Sequence, residues 1–189
     1  MENGGMEMKK LMLIFAWFAV AGLAGAQETR TELVRPTTPA DDSKPNSDSV
    51  PPAYAIGGQF ERVVVLRLKY QADLLTGLES MVKKERICNA VILSGIGSVR
   101  GYQYHVVSNR TFPSKDVYVK NPTAPADLVS MNGYVVDGRV HAHVTLANPD
   151  KAFGGHLEPG TEVFTFAIVT IGVLNDNTDL SRVDDKSYR

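Results

Sequence analysis

His141 and His143 flank a single alanine, and His156 follows a Gly154-Gly155 pair a short way downstream. Neutral imidazole is a good ligand for borderline divalent ions. A spacing of two along a β-strand sets both rings on one face, roughly 7 Å apart at the backbone, from which they can converge on one ion. Each nitrogen would then lie about 2.0–2.1 Å from zinc. The glycines ahead of His156 predict a sharp turn that brings in a third ligand. Three histidines with a fourth position open form a catalytic pattern, not a closed structural one. Zinc is the expected ion, although imidazole also suits copper, nickel and iron. An H-x-H pair alone also describes two solvated surface histidines. The case for metal is strengthened because three of the four histidines fall within 16 residues.

Neighbouring residues supply weaker candidates. Glu158 lies two residues past His156, where it is either a base for a metal-held water or an ordinary exposed carboxylate. Asn132, Tyr134 and Thr145 are candidates for supporting the ligands or contacting a bound small molecule. Arg67 and Arg100 are candidate anion binders, with solvated strand-edge arginines as the plainer reading. His105 stands apart and reads as structural. The glycines at 95, 97 and 101 have the wrong spacing for a dinucleotide loop, and neither a nucleophile elbow nor a G-K-[ST] phosphate cradle occurs.

A sheet must position these side chains. Asp137-Gly138 between two strand-like runs is the strongest short hairpin signal, and a two-residue turn fixes the register. It predicts Val136 opposite Arg139, Tyr134 opposite His141, Asn132 opposite His143 and Ser130 opposite Thr145. One face is then polar and carries both histidines; the other, with Met131, Val135, Val140, Ala142, Val144 and Leu146, is core. Further strands are expected at 63–69, 89–99, 102–107 and 163–173, with a short one at 117–119 inside a long loop over 109–125. Leu74, Leu75, Leu78, Met81 and Val82 have the one-face spacing of an amphipathic helix over 72–85. One main helix against several mostly antiparallel strands makes an α+β fold.

The chain's 189 residues, 43% apolar, suit one globular domain. Its 20 basic against 21 acidic residues lack the surplus expected of a strong nucleic-acid binder. Lys9-Lys10, an uncharged apolar run over 11–23 and Ala24-Gly25-Ala26 follow the three-part plan of a secretory signal peptide at residues 1–26, with Met1 or Met8 as the start. The protein is therefore expected to be exported, periplasmic or secreted, without membrane association after cleavage. Residues 27–57 hold five of the ten prolines and read as a disordered linker. The domain is expected over 58–175, and 176–189 reads as a polar tail. Cys88 is the single cysteine, which excludes an internal disulfide; apolar neighbours predict that it is buried.

The run Ala90-Val91-Ile92-Leu93-Ser94-Gly95-Ile96-Gly97-Ser98-Val99 resembles a core segment of the PPC (plants and prokaryotes conserved) domain. So do His141-Ala142-His143-Val144-Thr145-Leu146-Ala147, Phe153-Gly154-Gly155-His156-Leu157 and Gly160-Thr161, in the family's order over about 63–173. The resemblance implies a twisted, largely antiparallel sheet with one main helix, assembled as a homotrimer. It also implies a metal site at His141, His143 and His156, as in prokaryotic members. Plant members carry AT-hooks and act on A·T-rich DNA. Here there is no Arg-Gly-Arg-Pro core to enter a minor groove, charge is balanced, and the signal peptide directs the chain away from chromosomal DNA. Bacterial members often read Gly-Glu-Asp before the helix, where this chain has Gln71-Ala72-Asp73. The expected function is an exported, trimeric PPC-domain protein that binds a divalent metal and an unknown small molecule. Metal-dependent hydrolase or lyase chemistry would be its enzymatic extension. A DNA-binding regulator and a trimeric protein-interaction scaffold are the alternatives.

Overall fold

β-Branched and aromatic residues fill the strands of the computed structural model, which describes residues 30–36, 45 and 47–184. The predicted signal peptide lies outside the described residues. Among the described residues eight strands and one helix follow in the order β1 (Thr31–Pro36), β2 (Phe60–Lys69), α1 (Leu74–Lys84), β3 (Ala90–Val107), β4 (Lys115–Asn121), β5 (Ala126–Val136), β6 (Arg139–Ala147), β7 (Ala152–Leu157) and β8 (Glu162–Leu174). A 3-10 turn, Ser181–Asp184, comes last among the described residues. The strand pairs among the described residues are all antiparallel. The sheet runs β1-β4-β3-β5-β6-β7, and β3 pairs again with β7, so β3, β5, β6 and β7 close into a ring. β8 joins through β3 and carries β2 on its other side. The fold is thus a mostly antiparallel sheet with one short helix.

α1 begins where Asp73 caps it. One carboxylate oxygen accepts from the Thr76 N–H at 2.9 Å and the other from the Gly160 N–H at 2.6 Å, which ties the helix start to the β7–β8 connection. Leu74, Leu78 and Val82 are buried and face β2, β6 and β8, as the helical spacing predicts. The core continues through Val99, Leu128, Met131, Val135, Leu146, Leu157, Val163 and Val169.

Asp137 and Gly138 both have positive φ, 49° and 75°, as a two-residue primed turn requires. The hairpin register is the predicted one at all four pairs. The tip is anchored because the Gly138 N–H donates to the Cys88 carbonyl at 2.8 Å.

Three expectations are corrected. Residues 31–36, assigned from composition to a disordered linker, form an edge strand on β4. Its side chains are all exposed, so backbone pairing is its main attachment, helped by the Arg35 guanidinium 5.3 Å from the Tyr118 ring, without the apolar content that marks a buried strand. The predicted polar tail is buried in part. Thr178 and Leu180 are 3% and 5% exposed, and the Thr178 carbonyl accepts from the Asn89 side-chain amide at 3.1 Å. Cys88 is exposed, because Ile87 takes the inward position at the α1–β3 junction.

The outer side of the β2–β8–β3 layer is unusually apolar. Val63, Val65, Ile96 and Phe164, with Val129 of the adjoining β5, are each 46–65% exposed there, with Phe166 beside them. Single exposed apolar residues are ordinary, but a contiguous group on one sheet face suits a buried interface.

Candidate metal centre

Cross-strand register builds the site. Asn132 of β5 pairs with His143 of β6, His143 with His156 of β7, and His156 with His105 of β3. Three histidines therefore stand on adjacent strands in one transverse row, and directly paired side chains share a face. His141, two residues from His143, completes the group: its ring lies 5.4 Å from His143 and 4.7 Å from His156, centroid to centroid. His143 and His156 are 5.2 Å apart.

Glycine makes this row close. Gly154-Gly155 was expected to turn the chain sharply, but both residues lie within extended β7. Their value is the missing side chain. A Cβ on Gly154 would sit 2.0 Å from the Val144 carbonyl oxygen, and one on Gly155 only 2.3 Å from that of His105. β7 thus fits between β6 and β3 only with hydrogen at these positions. Thr161, fully buried, holds the exit of β7: its hydroxyl accepts from the Gln103 N–H and lies 2.9 Å from the Gln103 carbonyl.

His141, His143 and His156 each offer a nitrogen, and these three lie within 4.8 Å of one another. Nitrogens on one tetrahedral zinc sit about 3.3 Å apart, given bonds near 2.0 Å, so side-chain rotations closing at most about 1.5 Å would complete the set. Protonation favours the same chemistry. Burial, reinforced by the surrounding histidines, pushes His156 down to about 4 despite the opposing pull of Glu158. His143 is lowered too, by burial first and then by His141 and His105. Both rings are therefore neutral at physiological pH, the state in which imidazole ligates.

The remaining predicted residues divide. Asn132 and Tyr134 line, with all three histidines, a cleft of about 1230 Å³ between the hairpin and the end of α1. Thr145 lies one pair further along, in a cavity of about 380 Å³ shared with Asn132 and His143. Arg67 is not among them; its guanidinium covers the Phe166 ring at 5.8 Å on β2. Arg100 donates to the Tyr70 hydroxyl at 2.8 Å. Glu158 is half-buried, and its carboxylate lies 2.6 Å from His105 Nδ1. His105, read as a remote structural histidine, instead stacks on His156 at 4.5 Å. The signal that locates it is the β3–β7 pairing, which no local pattern in the chain announces.

Comparison with known proteins agrees with this fold. The family model of the Plants and Prokaryotes Conserved (PCC) domain matches residues 55–175. A PPC protein of Pyrococcus horikoshii is 30% identical, with 67% of this chain and 87% of that chain covered and a TM-score of 0.54. A metal-containing protein of Archaeoglobus fulgidus is 25% identical over 67% of this chain and 89% of that one, also at 0.54. A hypothetical protein of Salmonella, 24% identical over 64% and 81%, shares the fold at 0.51. No curated protein matches. With a family model that spans β2 to β8 and the histidine row, the chain belongs to the Plants and Prokaryotes Conserved domain family.

Proposed function

We propose that this protein is an exported, homotrimeric metal-binding member of its family. In this reading one divalent ion, zinc by preference, is held by His141, His143 and His156. The observation that carries the reading is the convergence of three histidine nitrogens within 4.8 Å on one sheet face. The metal-containing relative from Archaeoglobus supports it. A bound ion of this kind acts as a Lewis acid toward a small molecule, the basis of hydrolase or lyase chemistry.

The chain's own residues would do the rest. His141, His143 and His156 open into the cleft between hairpin and helix, where a small molecule would lie against Val82, Ile87 and Val140, with Asn132 and Tyr134 beside the ligands. At about 1230 Å³ the cleft is ample for a metabolite-sized ligand. The apolar outer face of β2, β8 and β3 supports self-assembly, since a contiguous patch of this kind is more stable covered than in water. Elemental analysis of the purified protein beside His141→Ala tests the reading. The wild type is expected to hold about one zinc per chain more than the variant; no metal in either after incubation with excess zinc overturns it.

A further inference from the structure

The end of the histidine row remote from His141 has its own ligand set. His105, His156 and Glu158 each offer an atom, and these lie within 4.8 Å of one another, all half-buried. Behind them stands Asp116, only 3% exposed, with its carboxylate 3.9 Å from His105 Nε2. Two carboxylates therefore approach the two nitrogens of one imidazole from opposite edges: Glu158 at Nδ1 and Asp116 at Nε2. Among the described residues His105 is the only ion-pair partner of either, with no lysine or arginine paired to them. Two acidic side chains thus share a single imidazole, an arrangement rich in oxygen donors for a cation.

We propose that His105, Glu158 and His156 form a second cation position, next to the three-histidine site and sharing His156 with it. The mixed nitrogen and carboxylate set suits a first-row divalent cation such as zinc. His105 would ligate through Nδ1 on the Glu158 side. Its Nε2–H would then point to Asp116, the arrangement in which an outer carboxylate orients a ligating histidine. His156 has two ring nitrogens, one for each ion; occupying both releases its remaining ring proton to solvent. The register supplies the geometry, because His143, His156 and His105 are consecutive rungs across β6, β7 and β3.

Zinc titration of the metal-free protein, read by calorimetry and elemental analysis, tests this. Two equivalents per chain are expected in the wild type. One should remain in His105→Ala and one in His141→Ala, while His156→Ala should lose both. Asp116→Asn should keep two equivalents but weaken one about tenfold or more, as loss of an outer carboxylate does. Thermal melts of each variant establish that it is folded. One equivalent that survives His105→Ala and disappears in His141→Ala overturns the second position while leaving the three-histidine reading intact. A single equivalent lost in both variants means one shared ion and also overturns it. An equivalent that survives His141→Ala and is lost in His105→Ala keeps this position and removes the other.

Discussion

Acid should destabilise the metal-free protein through His156, and the size of the effect follows from its surroundings. Folded, the ring is held to about 4 by burial and by His105, His141 and His143; unfolded, it titrates near the ordinary 6.5. Between those values the unfolded chain binds a proton that the folded one refuses. Stability conferred by the neutral ring is complete above pH 6.5 and is lost as pH falls through the window to about 4. From pH 7 to pH 5 these two values correspond to a loss of about 2 kcal/mol. His156 is half-buried, so solvent screening brings the expected figure to about 1–2 kcal/mol. His143 adds to it in the same direction. Urea unfolding at pH 7 and pH 5, with a chelator present, measures the difference; ordinary carboxylates titrate mostly below this range. His156→Gln, neutral at every pH, should remove His156's share and flatten the response. Equal pH dependence in wild type and variant, or a wild type more stable at pH 5, would refute the argument that burial controls this ring.

Gly155→Ala should cost about 1–3 kcal/mol and weaken zinc binding, because a Cβ 2.3 Å from the His105 carbonyl oxygen forces β7 away from β3; urea melts and calorimetry check both. Asp73→Ala removes the acceptor of the Thr76 and Gly160 N–H groups and should lower stability by about 1–2 kcal/mol without changing zinc stoichiometry. Val65→Glu places a charge on the apolar sheet face and should convert an assembled protein to monomers in light scattering, with the fold retained by circular dichroism.

The hairpin was legible from sequence because a two-residue turn is a local device: Asp137-Gly138 sets every pair from Val136–Arg139 to Ser130–Thr145. The helix was legible for the same reason, with Leu74, Leu78 and Val82 one turn apart. The two H-x-H rings and His156 were nameable from type and spacing. What escaped was non-local. β7 gives no strong strand signal, since two of its six residues are glycine, and their role emerges only when Val144 and His105 are seen pressing on them. Glu158 and His105 share no motif and lie 53 residues apart, so their contact requires knowledge of the β3–β7 pairing. β1 escaped because edge pairing satisfies backbone groups and asks little of side chains.

The 18-residue β3 pairs with β4, β5, β7 and β8 along its length. Most of those partners lie far away in sequence, and chains dominated by such pairings fold slowly because loop-closure entropy is met before contacts repay it. His105 and His156 meet only when β7 docks on β3, which closes the ring. In the proposed reading, metal affinity would thus double as a clock for folding. In a refolding time course the histidine row should be competent last, after α1 and the hairpin have formed, so a nascent or partly folded chain would not capture metal at this site.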